Sequence, residues 1–397
     1  MSGTYVSKIG IGSFTMIMVV GNGLFIPMMP AIQQDLQLTA SQTSLLLSVF
    51  SFAGAIMIPL SSWLSNVFGR RKVIISCLVI LTLGCVTSSL SGFTSHSNVA
   101  YMTILIGRIL QGVGAGSAAP LGFILASELY RGTEQMKLFS LLEVINGVTK
   151  AVSPILGSLL VAYAWQLGFV WYLAIAIVAL VSAITLLPQQ SQTLSNHSTL
   201  SHGGLLHYWR WFVPGLTIGF VVMFLLYGLL FVTASDIQHT GQRGLFISLP
   251  LAILVVVSYL YGRTSNRSSK QLKETMIAGM SLLLVASCLA CFGYLGFMYT
   301  VLSTCVVGGA AGILLPASSS SLAQFLPEEL SERALTWLTT VRFLGVASGP
   351  VVFSIWMSEW QNHVFYLIGL TGISSQILLI CWGKWFKKIQ FEESNEF

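Results

Sequence analysis

Four ionisable side chains stand well inside long apolar runs of this sequence: Arg108, Glu143, Lys150 and Arg342. A charge near the centre of a membrane helix costs about 2.5–3.5 kcal/mol on insertion scales, so such groups face water or a partner and mark function. Glu143 and Lys150 share the run 137–161. At 3.6 residues per turn, Glu143, Asn146, Lys150, Ser153 and Gly157 fall on one face of it. That polar stripe predicts a face turned to a water-filled cavity or a partner helix. Three of the four groups are positive. Lys150 and Arg342, with Asn146 and the neutral Asn22 of the first run, are therefore read as contacts for an anionic or carboxylate-bearing substrate. The other reading is structural pairing, Lys150 with Glu143 and Arg342 with a backbone carbonyl or polar neighbour. Glu143, the one carboxylate read as intramembrane, is a candidate proton carrier. Its competing role is a gate contact near the cytoplasmic end, with Arg71 or Arg131 as partner.

The elements that must position these groups follow from composition. Of 397 residues, 54% are hydrophobic and only 8% charged, and the mean hydropathy is +0.81. Long apolar runs with rare charges predict an all-α membrane protein. Twelve windows of spanning length can be placed at 8–31, 42–65, 73–92, 99–126, 137–161, 169–187, 211–234, 244–262, 275–295, 298–325, 334–357 and 364–383. The first runs on from Lys8 with no cleavage pattern and reads as a retained span. The polar stretch 189–208 divides the chain into halves 1–188 and 209–397. Lys and Arg gather in alternate loops, which predicts that both termini and this linker are cytoplasmic. A pI near 9.0 reflects these topology signals, not a nucleic-acid surface. The six cysteines all lie in apolar runs and read as small buried side chains, with no disulfide framework and no metal site.

The halves repeat. An offset of 196 residues carries Gly112, Gly116 and Pro120 onto Gly308, Gly312 and Pro316, Lys137 onto Arg333, and Pro154 onto Pro350. Six-span repeats are the mark of a transporter built from parallel halves, with its site near the bilayer midplane.

Three segments carry a resemblance. Ser62-Trp-Leu-Ser-Asn66-Val-Phe-Gly69-Arg70-Arg71-Lys72 resembles the signature loop of the major facilitator superfamily, with Ser62 and Asn66 replacing the usual glycine and aspartate. Arg108-Ile-Leu-Gln111-Gly112 is similar to that family's Arg-x-x-Gln-Gly segment. Ser153-Pro154-Ile-Leu-Gly157, preceded by Gly147 and repeated at Gly349-Pro350, is similar to the Gly-Pro-x-x-Gly-Gly motif of its drug/proton antiporters. The resemblance implies twelve helices in two pseudo-symmetric halves working by alternating access. It gives Arg108 a part in proton transfer, against the alternative that this arginine snorkels to the outer interface. It gives Asn66, Gly69, Arg70, Arg71, Gly147, Pro154, Gly157 and Pro350 parts in gating and conformational change.

No Gly-x-x-x-x-Gly-Lys-Ser/Thr run is present. No catalytic dyad or His cluster sits within the runs, so an enzyme or sensor is not expected. The sequence reads as a monomeric, proton-coupled secondary transporter in the cytoplasmic membrane, needing no cofactor. Its expected work is export of an amphipathic organic compound, a drug or an anionic metabolite such as a carboxylate siderophore. An importer on the same fold is the alternative.

Overall fold

A computed structural model describes residues 2–94, 96–118, 130, 132–186, 209–237, 240–263, 269–326 and 328–359, with 366, 369, 372 and 373 beyond them. Every described element is helical. In chain order they are α1 (Ser2–Gly23), α2 (Met29–Asp35), α3 (Ala40–Phe68), α4 (Arg70–Leu90), α5 (Ser97–Ala118), α6 (Gly132–Val161), α7 (Gln166–Leu186), α8 (Trp209–Asp236), α9 (Thr240–Arg263), α10 (Ser269–Cys291), α11 (Phe297–Phe325) and α12 (Glu328–Glu359), with 3-10 turns at Ile26–Met28, Ser91–Phe93 and Gly293–Leu295. Among the described residues, 11 helical stretches are long and apolar enough to cross a membrane. They match the first eleven predicted windows. The twelfth window and the linker 189–208 lie largely outside the described residues.

Local chemistry explains the ends. Thr39 caps α3: its Oγ1 accepts from the Gln42 amide at 3.2 Å, while Gln42 Oε1 accepts from the Thr39 amide at 2.9 Å. This reciprocal capping box closes two donors that the first helical turn leaves open. Between α3 and α4 stands Gly69 at φ 84°, a backbone conformation open to glycine and strained for other side chains. The first span is not one continuous helix. It breaks into the 3-10 turn Ile26–Met28 before α2, because Pro27 and Pro30 each lack the N–H that continued helix requires.

The chain divides into two compact units, Met1–Ser198 with Leu230–Val255, and Thr199–Leu229 with Val256–Phe397. In the first unit, α5 packs its small residues against α3. A Cβ on Gly112 would strike the Phe50 carbonyl, and one on Gly116 would meet Gly54 Cα at 2.7 Å. These small residues let α3 and α5 approach closely. In the second unit, α10 lies against α11, where a Cβ on Gly279 would come within 2.7 Å of Leu314. The buried side chains Leu322, Leu326, Ala334 and Leu338 join α11 to α12.

Candidate functional site: the polar stripe of α6 and two arginines

α6 shows which way its stripe faces. Its exposed apolar residues are Leu141, Val144, Val148, Val152 and Leu159, each 40–57% exposed. At 100° per residue they form one lipid-type face, and Glu143, Asn146 and Lys150 lie roughly opposite. One flank of the stripe meets α1: a Cβ on Gly12 would sit 2.8 Å from Ile145 Cδ1, and Gly23 abuts Ser153 Oγ. The other flank meets α9. A Cβ on Gly244 would lie 2.7 Å from the Pro154 carbonyl oxygen, and one on Gly147 2.8 Å from Val255 Cγ1. Gly157 comes so near Leu24 that a Cβ would overlap its carbonyl oxygen. Pro154 and its neighbouring glycines thus let α1 and α9 close on α6 from two sides.

Between those flanks Lys150 is half-buried, while Glu143 is exposed near the start of the span Leu141–Val161. Seven residues separate the two, about 10.5 Å along the axis, so they are not neighbours on adjacent turns. Among the described residues, two buried oxygens on this side of α6 have no hydrogen-bond partner: Asn146 Oδ1 and Ser153 Oγ. Buried polar atoms are nearly always paired, and those that are not call for a functional or solvent explanation. At the basic end of α6, outside the span, Glu134 accepts from Lys137 Nζ at 2.8 Å. That carboxylate holds the Lys137 ammonium above its ordinary pKa.

Arg108 is fully buried, 0% exposed. It donates from Nε to the Leu46 carbonyl (3.0 Å), from Nη1 to Gln111 Oε1 (3.0 Å) and from Nη2 to the Gly21 carbonyl (2.7 Å). The Phe25 and Phe50 rings cover the guanidinium at 4.6 and 4.3 Å. Gln111 in turn donates to the Gly84 carbonyl and to Ser88 Oγ, both at 3.1 Å. One side chain thus ties α5 to α1 and α3, and its neighbour ties α5 to α4. The snorkelling alternative is not what the structure shows. Asn22 is also enclosed, exchanging hydrogen bonds with Ser51 at 2.9 and 3.1 Å.

Arg342, in the second unit, is held differently. Its Nη2 donates to the Leu315 carbonyl, to Ser318 Oγ at 2.9 Å and to Ser319 Oγ at 3.0 Å. Its Nε is buried without a partner. Ser318 and Ser319 also donate back to the Leu315 carbonyl, at 2.8 and 3.2 Å. The pairing expected as the alternative for Arg342 is thus present on one nitrogen and missing on another. By the repeat offset, Arg342 stands where Asn146 stands in the first half, eight residues before Pro350 and Pro154 respectively. Both positions carry an unpaired buried atom. Pro350 itself is buried.

In the signature loop, Arg71 reaches across to α7 and donates from Nη2 to the Ile184 carbonyl at 3.0 Å. A cation at the last carbonyls of a helix is favoured by the helix dipole. The side chains of Asn66 and Arg70, and all of Arg131, lie outside the described residues. Sequence reading missed the partners that occupy Arg108 and Asn22, because Leu46, Gly21 and Ser51 offer ordinary backbone and hydroxyl groups with no motif. It also placed a carboxylate only at Glu143, whereas three further spans run on to end at Asp35, Asp236 and Glu359. Asp35 accepts from Trp165 Nε1 at 2.7 Å.

Known proteins bear on this arrangement. The chain is 29% identical over 384 residues to a bacillibactin exporter of Bacillus subtilis (strain 168), covering 94% of this chain and 95% of the relative. It is 23% identical over 379 residues to multidrug resistance protein 2 of the same organism, covering 91% and 92%. Among solved structures, a D-xylose–proton symporter shares the fold at TM-score 0.72 and 18% identity, covering 95% of this chain and 96% of that one. A human organic anion transporter does so at 0.66 and 16%, covering 94% and 99%. The sequence matches the Major Facilitator Superfamily over residues 11–271 and 216–396. This chain belongs to that family and is a multi-pass membrane transporter, not an enzyme.

Proposed function

We propose that this protein exports an anionic organic compound across the cytoplasmic membrane by alternating access, driven by inward proton flow. The observation that carries the reading is the stripe of α6. Lys150 lies opposite the apolar exposed face, on the side where Asn146 Oδ1 is buried and unpaired. In a low-dielectric setting the Lys150 cation favours an anion over a hydrophobic cation, while Asn146 Oδ1, an acceptor, suits a hydroxyl or N–H donor on the same compound. Arg342, whose Nε is buried and unpaired, is the second cationic contact of the proposal. Export is supported by the relatives named for bacillibactin export and multidrug resistance.

Glu143 is the proposed proton carrier, since it is exposed on the side of α6 away from the lipid-type face. Arg108 contributes to coupling through α1. Its bond to the Gly21 carbonyl fixes the segment that abuts Ser153, so proton-linked movement of α1 would be felt at the stripe. The proposed orientation keeps both termini and the linker cytoplasmic, with the two six-span halves as the moving bodies of a monomer. Everted membrane vesicles test direction and coupling together. Uphill uptake of a polycarboxylate that stops when a protonophore is added, and that a Glu143→Gln variant cannot drive, is the expected result. Uphill, pH-coupled uptake by that variant would remove Glu143 as carrier, and uptake confined to right-side-out vesicles would make the protein an importer.

A further inference from the structure

α11 contains a proline at a position that should weaken it. Pro316 has no N–H, so the carbonyl four residues back, that of Gly312, loses its helical donor. A buried carbonyl left open costs about 1–3 kcal/mol. The structure fills it from another helix: Ser258 Oγ on α9 donates to the Gly312 carbonyl at 3.1 Å. One residue before the proline, the Leu315 carbonyl accepts from Arg342 Nη2 and from the Ser318 and Ser319 hydroxyls. The break in α11 is thus clipped on one side by Ser258 and carries the cradle of Arg342 on the other. The repeat offset that pairs Gly312 and Pro316 with Gly116 and Pro120 also pairs Ser258 with Ser62, so the same three residue types recur in the first half.

We infer that Ser258 is a positioning residue for Arg342: its hydroxyl replaces the hydrogen bond that Pro316 cannot make, and so fixes the height of the Leu315 carbonyl and the two serines that hold the guanidinium. Ser258 touches no substrate. It sets the orientation of the Arg342 guanidinium. The transport consequence rests on Arg342 being a substrate contact, whereas the hydrogen bond can be tested without that reading.

Thr and Val at position 258 have nearly the same shape and differ in the hydroxyl. In reconstituted full-length protein, Ser258→Thr should keep the unmodified KM for citrate. Ser258→Val should raise it about three- to tenfold with Vmax little changed, and should lower Tm. In a Pro316→Ala background, where the helical N–H is restored, Thr and Val should become equivalent in both readouts. Equal KM and Tm for Thr and Val in the Pro316 protein would overturn the inference. A difference in Tm with identical KM would reduce Ser258 to a structural donor and overturn its role toward Arg342. If the unmodified protein moves no citrate or other polycarboxylate, the proposed function falls and takes the positioning role with it, while the Tm comparison still decides the hydrogen bond.

Discussion

Arg108 and Arg342 are both arginines on membrane-spanning helices, and the structure holds them in opposite ways. Arg108 donates from all three nitrogens to groups on three helices, α1, α3 and its own, and lies between two aromatic rings. Arg342 donates through Nη2 to one helix and leaves Nε unpaired. A planar guanidinium has five donors in a fixed fork. Where the protein occupies the fork, the residue is a bolt. Where it leaves part open in a buried place, hydrogen-bonding capacity is available to something else. The charge of the side chain does not separate the two roles, but the completeness of its hydrogen bonding does.

The comparison can be broken most decisively at Arg108. Truncation to Ala would orphan the Leu46 and Gly21 carbonyls, at about 1–3 kcal/mol each, and open a void between Phe25 and Phe50. Thermal unfolding of purified Arg108→Ala should show a large fall in Tm, and Arg108→Lys should recover little, because a single ammonium cannot reach three separated acceptors. A Tm matching the unmodified protein would mean that the bolt is ornamental. Next in size is Gly157→Leu. Forcing a side chain against the Leu24 carbonyl costs about 1–3 kcal/mol of overpacking and pushes α1 off α6, so flux should vanish in protein that still reaches the membrane. Retained flux would show that this close approach is not needed for the cycle.

Arg342→Gln sharpens the contrast from the other side. Its Leu315 carbonyl keeps the Ser318 and Ser319 donors, so stability should change by only about 1 kcal/mol, while KM for a polycarboxylate rises about tenfold. A Tm loss as large as that of Arg108→Ala would put both arginines in one class. Ser153→Ala should have the smallest effect. It deletes a buried hydroxyl that has no partner, so Tm should stay level or rise slightly; a clear fall would reveal a bond made in another conformation of the cycle.

Most of the fold was legible because spanning length and rarity of charge leave few alternatives, and eleven predicted windows reappear as helices. Gly69 in the signature loop and the repeated Gly112 and Gly116 were marked by type and spacing, and a turn and a close helix approach stand there; the capping box of Thr39 and Gln42 is equally local but was not picked out. The stripe of α6 was readable for the same reason, since a helix fixes which residues share a face. What was not readable is who meets whom across helices. Asn22 looked like an open amide until Ser51, 29 residues away, was found beside it. Arg108 looked free to snorkel until acceptors 62 and 87 residues away closed over it. Ser258 carried no motif at all, because its meaning depends on a missing N–H in a different helix. The break at Ile26–Met28 is a different case: Pro27 and Pro30 signalled it, and a window judged by hydropathy alone passes over them.

Whether Lys150 on the polar stripe of α6 selects an anion can be measured directly. Purified protein in liposomes would be assayed for transport of a polycarboxylate and of a cationic dye side by side, with Lys150→Gln measured in the same preparation. The expected result is transport of the polycarboxylate, little of the dye, and loss of anion transport in Lys150→Gln protein that remains folded. Transport of the dye, with the Lys150→Gln variant indistinguishable from the unmodified protein, would contradict it and leave Lys150 a structural residue.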